Sequence, residues 1–223
     1  MRLLHVSDLH FNKQWFAWTK RVAKDFDAIA ITGDVIDSTS ATPITRQVEW
    51  LIDWIRVFPN SRLLICSGNH DHEREDLPSH LQHWMADLDF PHLATDGDIT
   101  SLGATVVQCV GWGKQPQPCG PRSIALMHCP PAGGQTAIEE ESGLDYGDYE
   151  LALTLLFGFH APELILSGHV HRRRRWNDVM GPNSLSLNPG FADGPRPPHI
   201  VIDLSVRTAE FVRPNSPTES VSF

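Results

Sequence analysis

Thiol chemistry is scarce in this chain: four cysteines in 223 residues, Cys66, Cys109, Cys119 and Cys129, with no C-x-x-C spacing among them. Two lie in apolar runs, where a reduced thiol behaves as a small hydrophobe, so neither a disulfide framework nor a thiolate zinc site is expected. Positive charge is also short. Eighteen Lys and Arg stand against 27 Asp and Glu, a formal net charge of −9, which argues against a protein that coats nucleic acid through a broad basic face. An anionic substrate would have to be drawn in by local positive charge. No stretch approaches the roughly 18 consecutive apolar residues of a membrane helix, and the opening MRLLHVSD turns polar too soon for a signal peptide. These absences lead to the expectation of a cytoplasmic protein with no membrane partner.

What is present is an ordinary globular composition, 41% hydrophobic and 20% charged. The length suits one domain over residues 1–213, and the polar tail 214–223 reads as disordered. No internal repeat and no dividing linker is visible.

Residues 13–24 alternate aromatic and basic positions at helical spacing, with Trp15, Trp18 and Val22 facing inward. A second helix opens at Thr42-Pro43, as N-cap and first helical position, and puts Val48, Leu51, Ile52, Ile55 and Phe58 on one face. Residues 78–88 and 148–160 also read as helical. Residues 132–147, rich in glycine and acid, read as a surface loop. The segments 174–179, 184–187, 199–204 and 207–212 follow one another with short turns, as antiparallel strands do.

The remaining apolar runs share one grammar. Arg2-Leu3-Leu4-His5-Val6 leads into Asp8 and His10, and residues 27–32 lead into Gly33-Asp34. Residues 62–66 precede Gly68-Asn69-His70-Asp71, residues 123–127 precede His128, and residues 163–167 precede Gly168-His169-Val170-His171. Each is a buried strand followed at its exit by oxygen or imidazole donors. Asp8 and His10 stand two residues apart, so extended backbone would point both to one side. In open α/β sheets ligands sit beyond the carboxyl ends of strands, so all five exits can converge on one site. Gly-Asp occurs twice more, at Gly97-Asp98 and Gly147-Asp148, but in loop-like stretches; Asp98 and Asp148 read as structural. His5, His80, His83, His92, His160 and His199 lack the strand-exit context, and His72 sits beside it without matching any of the five patterns.

In this order, Asp8-x-His10, Gly33-Asp34, Gly68-Asn69-His70-Asp71, His128 and Gly168-His169-Val170-His171 resemble the signature of the calcineurin-like metallophosphoesterase superfamily. The resemblance spans residues 8–171. It implies an α/β (α+β) fold, a two-sheet β-sandwich flanked by helices, with a dinuclear metal site at the strand ends. It also implies the assignments: Asp8, His10 and His171 on one cation, Asn69, His128 and His169 on the other, and Asp34 bridging. Carboxylate, amide and imidazole donors suit two divalent ions, Mn²⁺ first, with Fe or Zn²⁺ as alternatives. Such a pair brings the pKa of a shared water towards about 7, so that a metal-bridging hydroxide attacks phosphorus. His70 is then the candidate to protonate or hydrogen-bond the leaving oxygen, with Asp71 orienting it.

For the substrate, Arg172-Arg173-Arg174-Arg175 is the strongest basic run in an acidic chain and directly follows His171. Arg172 and Arg173 are the candidates to hold a second phosphate or a nucleic-acid backbone, against a plain solvated strand. Trp15, Phe16 and Trp112 are candidates to stack bases, although Trp15 is better placed in the core. The chain looks similar to the small bacterial manganese-dependent phosphodiesterases associated with DNA repair. That likeness implies an endonuclease on single-stranded DNA, with other DNA repair proteins as partners. The alternatives are a cyclic-nucleotide phosphodiesterase, a nucleotide-lipid pyrophosphatase, disfavoured because no exposed apolar helix suits a membrane surface, and a non-catalytic scaffold with the same fold. One departure is that Asn188-Pro189-Gly190 resembles a family turn, yet Phe191 stands where a small polar residue is usual.

Overall fold

The computed structural model describes every residue except 60, 72–76, 121, 159 and 215, and the side chain of His80. His72 therefore lies outside the described residues.

Two sheets pack face to face. One has seven strands in the order β13-β12-β11-β1-β2-β3-β4, the other six in the order β5-β6-β7-β8-β10-β9. In the first, β1 (Arg2–Val6), β2 (Ala28–Thr32), β3 (Arg62–Cys66) and β4 (Leu93–Ala94) are parallel neighbours, while β11 (His199–Asp203), β12 (Thr208–Val212) and β13 (Glu219–Ser222) continue antiparallel from β1. In the second, β6 (Thr105–Cys109), β7 (Ser123–Leu126), β8 (Leu164–Leu166) and β10 (Ser184–Leu187) are parallel. The edges β5 (Ile99–Leu102) and β9 (Asn177–Met180) pair antiparallel to β6 and β10.

The near-continuous apolar runs have a direct cause: each central strand is buried on both faces. Leu3, Leu64, Leu126, Leu166 and Leu187 fill the space between the sheets. The alternate positions Leu4, Ile29, Ile31, Leu63 and Ile65 meet the helices α1 (Lys13–Val22) and α2 (Ile44–Arg56) through Trp15, Phe16, Leu51 and Ile55. On the outer face of the second sheet, Ala125 and Ile165 meet α3 (Tyr149–Phe157) through Leu151 and Leu155. Each such Leu or Ile contributes roughly 1.5–3 kcal/mol by leaving water.

Several local expectations are corrected. The capping residue of α2 is Pro43, while Thr42 supplies only its carbonyl, which accepts from Gln47 Nε2 at 2.8 Å. Residues 78–88 hold a single 3₁₀ turn, Ser79–Leu81, followed by further turns; Leu81, Trp84 and Met85 still reach the core, so apolar spacing alone mimics a helix there. The first half of 132–147 is packed rather than exposed: Thr136 and Ala137 are fully buried. The tail expected to be disordered instead pairs, as β13, with β12 over Glu219–Ser222. Its polar composition fits an edge strand that buries little side chain, and backbone pairing plus Phe223 against the inter-sheet core holds it. No helix among the described residues is long and apolar enough to cross a membrane.

Candidate metal centre

Five strand ends meet at one edge of the sandwich. In the first sheet β1, β2 and β3 lie side by side in parallel, with Val6 opposite Ile31 and Thr32 opposite Cys66; in the second, Leu126 lies opposite Leu166. The five exits expected from the sequence are therefore spatial neighbours, three from one sheet and two from the other.

The backbone at these exits is not extended. Asp8 (φ 53°), His10 (φ 40°), Phe11 (φ 52°), Asp34 (φ 50°) and His169 (φ 67°) all adopt left-handed conformations, and the sixth such non-glycine residue, Arg207, lies in a distant turn. The same-side placement of Asp8 and His10 is thus produced by tight left-handed turns rather than by strand periodicity. Such conformations cost on the order of 1–3 kcal/mol each and persist where the surroundings over-determine them. Here a cross-strand mesh does so. Asp8 N–H donates to Gly33 O (3.2 Å), His10 N–H to Asp34 O (2.8 Å) and Phe11 N–H to Val35 O (3.0 Å). His169 N–H donates to Asp8 Oδ1 (3.1 Å) and His70 N–H to Asp34 Oδ1 (3.0 Å). The motif glycines mark where strands crowd together: a Cβ at Gly168 would overlap Ser7 Oγ and Asp8 Oδ2, and one at Gly68 would overlap Asp34.

The donor atoms face one another closely. His171 Nε2 lies 3.3 Å from Asp8 Oδ1 and 3.2 Å from His10 Nε2. Asp34 Oδ2 is 3.2 Å from His128 Nε2 and 3.9 Å from His10 Nε2. Asn69 Oδ1 is 3.0 Å from His169 Nδ1. Asp34 therefore touches members of both expected sets. His128 Nδ1 faces the Thr32 carbonyl at 2.8 Å, which fixes Nε2 as the free lone pair. Asp8 Oδ2 and His128 Nε2 are buried and make no hydrogen bond, a costly arrangement for polar atoms unless a cation takes them. With carboxylate, amide and imidazole donors, the residues fit a pair of divalent ions.

The carboxylates and imidazoles of the site set one another's charge. Burial alone would raise the Asp8 carboxyl, but the adjoining His171 and His128 outweigh it and hold it well below the usual range. Burial would lower the His128 imidazole, yet the Asp34 carboxylate beside it pushes it up to about 9. His169 is driven down to about 4 by burial and then by His128.

His70 sits at the rim with its ring 5.1 Å from that of His10. The backbone N–H of Ser38 donates to His70 Nδ1 at 3.3 Å, and the Ser38 hydroxyl lies 2.8 Å from the same atom. A neutral His70 then carries its proton on Nε2, the edge 3.9 Å from Asp34 Oδ2. Asp71 does not orient His70. Its buried carboxylate accepts from Val35 N–H, Ile36 N–H and Gly68 N–H (3.1, 2.9 and 2.9 Å), so it ties the β2 exit to the β3 exit; burial and the Asp34 charge raise it to about 7.

Among the other residues singled out, Trp15 and Phe16 are buried and cannot stack a base, whereas half-buried Trp112 packs 5.7 Å from His128 and 5.5 Å from His169. Phe191 stacks on His171 at 5.0 Å, backed by Trp15 at 5.1 Å. Arg172 turns outward to pair with Glu141, while Arg173 turns inward and donates from Nε to the Asn188 carbonyl at 2.7 Å. Asp98 accepts from Thr95 N–H and Asp148 caps α3, both structural roles. His5, His92 and His199 bond to the framework at Thr32, Ile55 and Pro197.

Sequence reasoning passed over two residues. Asp37 groups with His10 and His70, three positions after Asp34 in the same exit. Asn188 donates from Nδ2 to the carbonyls of Gly168 (2.8 Å), Val170 (3.3 Å) and Thr136 (3.2 Å), and so holds the loop that carries His169 and His171. The turn Asn188-Pro189-Gly190 was its visible signal.

The profile of the calcineurin-like phosphoesterase family matches residues 1–173. Among solved structures, TT1561 of Thermus thermophilus is similar over 99% of this chain and 98% of its own, with a TM-score of 0.57 at 16% identity. Purple acid phosphatase PPD1 from yellow lupin (Lupinus luteus) seeds is similar over 100% of this chain and 53% of its own, with a TM-score of 0.59 at 12% identity. Pseudomonas putida nuclease MPE aligns over 98% of this chain and 87% of its own, with a TM-score of 0.42 at 17% identity. Among curated proteins none matches the sequence. With a family profile matching residues 1–173, and strand-exit donors gathered at one sheet edge in groups suited to divalent cations, the chain belongs to the calcineurin-like phosphoesterase family.

Proposed function

We propose that this protein is a two-cation phosphodiesterase that cuts single-stranded DNA. The observation that carries the reading is that Asp8, His10 and His171, and again Asp8, Asp34 and His128, bring their donor atoms together, with two buried polar atoms among them, Asp8 Oδ2 and His128 Nε2, that make no hydrogen bond. Asp8, His10 and His171 would hold one cation, Asn69, His128 and His169 the other, and Asp34 both. When bound, such a pair polarises a phosphoryl oxygen and supplies a nucleophile near neutral pH. The chain's own groups do the rest. The left-handed turns and the Asn188 bonds keep the donors in place before substrate arrives. His70 presents an Nε2–H edge at the rim and donates to the leaving oxygen, a role worth roughly 10² to 10⁴ in rate.

A polymer suits the surroundings better than an enclosed small ester. The His171 side chain is 42% exposed and lines two clefts, of about 430 and 530 Å³. Mn²⁺ is the favoured metal, by likeness to the manganese-dependent phosphodiesterases, with Fe or Zn²⁺ equally suited to the donors, and DNA repair factors are the favoured partners.

The test is reconstitution. Metal-stripped protein is supplied with Mn²⁺, Zn²⁺, Mg²⁺ or nothing and assayed on a diester, a monoester, cyclic nucleotides and labelled single- and double-stranded DNA. Metal-dependent cleavage of the single strand is expected. A preference for cyclic nucleotides selects that phosphodiesterase class, and no hydrolysis with any metal selects a scaffold.

A further inference from the structure

Beside the metal centre, and sharing His171 and Phe191 as its wall, lies a cleft of about 530 Å³. Arg172 to Arg175 and Arg213 line it, against two carboxylates, Glu140 and Glu219. In a chain of net charge −9 this is a strong local reversal of sign. The backbone beneath it is fastened: Glu140 N–H donates to Arg172 O (2.7 Å), Arg174 N–H to Ile138 O (3.0 Å) and Arg175 N–H to Gln135 O (3.2 Å).

The inner wall is Arg173. Its guanidinium packs over the Phe211 ring at 4.8 Å, and among the described residues only Nε finds an acceptor, Asn188 O. Nη2 is buried and donates to nothing. No carboxylate oxygen among the described residues comes within ion-pair distance of Arg173, although Arg213 is near enough for the two positive charges to repel. Glu219, the nearer carboxylate, is taken by Trp176 Nε1 at 2.9 Å. Glu219, Asp8 and Glu140 offset part of this charge from a distance, but two neighbouring guanidinium groups with spare planar donors and, among the described residues, no carboxylate in direct contact form an anion site, and phosphate is the anion they fit best. Position selects the ligand further. Arg173 lies two residues beyond His171, so their Cα atoms are at most about 7 Å apart, the reach of a single nucleotide step.

We propose that this cleft is a second phosphate site, in which Arg173 and Arg213 hold the phosphate adjacent to the scissile one in a single strand of nucleic acid. The inference rests on the phosphodiesterase reading for the word scissile, and on the cleft alone for the anion.

Binding and turnover test the two separately. Metal-stripped protein in EDTA, where hydrolysis cannot contribute, is titrated into fluorescein-labelled oligothymidylate at several salt concentrations. Arg213→Gln, on an exposed side chain, and Arg173→Lys should each weaken binding about ten-fold. Arg213→Gln, which removes a charge, should also flatten the dependence of log K on log salt by about 0.7, the single-strand value for one lost phosphate contact, whereas Arg173→Lys, which keeps its charge and loses only the planar donors, should leave that slope unchanged. Arg56→Gln, on α2, should do neither. Absence of binding by the wild-type protein, unchanged binding by both cleft variants, or equal weakening by Arg56→Gln overturns the site. With Mn²⁺ restored, the ratio of kcat/KM for oligothymidylate to that for bis(p-nitrophenyl) phosphate should fall about ten-fold in Arg213→Gln. An equal fall on both substrates overturns the adjacent-phosphate assignment. Strand binding that survives while neither substrate is cut sinks the hydrolase reading and leaves the anion site standing.

Discussion

The metal centre and the arginine cleft share His171 as a border, yet they are built in opposite ways. The centre uses short side chains locked by backbone: left-handed turns, cross-strand N–H bonds and glycines against which Asp8 and Asp34 press. The cleft uses long side chains whose direction is set by what they meet, so that Arg172 swings out to Glu141 while Arg173 swings in under Phe211. Rigid placement suits cations that tolerate little error in ligand geometry; a reaching guanidinium suits a phosphate on a flexible strand. The centre should therefore respond steeply to small substitutions, and the cleft gradually.

The steepest response is expected at His70. His70→Ala should lower kcat by roughly 10² to 10⁴ on a diester with a poor leaving group, with metal content unchanged by elemental analysis and little loss on an activated nitrophenyl ester. Full turnover on the poor leaving group would remove His70 from the chemistry. Next is Gly168→Ala, a single methyl group aimed at Ser7 and Asp8. It should destabilise the fold by about 1–3 kcal/mol and weaken metal uptake together, read by urea denaturation and by metal titration. A variant of wild-type stability would show that the β8 exit yields more than the mesh suggests.

His5 tests the framework under the centre. Buried beside Thr32, its imidazole is driven down to about 3 by burial. In the unfolded chain it titrates near 6.5, so between these values the unfolded state binds the extra proton. The stability held at neutral pH is then lost as pH falls below about 6.5, by at most about 1.4 kcal/mol per pH unit. Urea midpoints of the wild type between pH 7 and 5 should fall more steeply than those of His5→Gln; parallel slopes would place the acid sensitivity elsewhere. The smallest effect is expected at the outer arginine. Arg172→Ala removes a pair with Glu141 in which both side chains are exposed, and should change stability by under about 1 kcal/mol. A loss comparable to that of Gly168→Ala would erase the contrast between the two regions.

The strands were legible because burial on both faces leaves an apolar run of fixed length, as in β1 to β3 and β7. The ligand set was legible because donors follow those runs at once and in order. Less visible was the means of aiming them. Period-two alternation explains Asp8 and His10 in an extended chain, but the chain turns left-handed there; aspartate and histidine enter that region more often than most residues, yet too rarely for their identity alone to call for it at Asp8 and His10, and nothing favours it at Phe11. The role of Asp71 is hidden for a related reason: adjacency to His70 suggests contact, while its carboxylate is satisfied by N–H groups about 35 residues upstream, at Val35 and Ile36. The edge strand β13 was hidden because backbone pairing leaves little trace in side-chain pattern.

By itself, then, the sequence determined which strands are buried, in what order, and which donors stand at their ends, since hydrophobic burial and short-range spacing are local properties of the chain. Only the tertiary structure decided which donor touches which, that Asp71 and Asn188 brace the exits, and that Arg173 rather than Arg172 faces the cleft. Those outcomes depend on contacts between segments far apart in the chain, where one hydrogen bond or one ring determines the direction of a side chain.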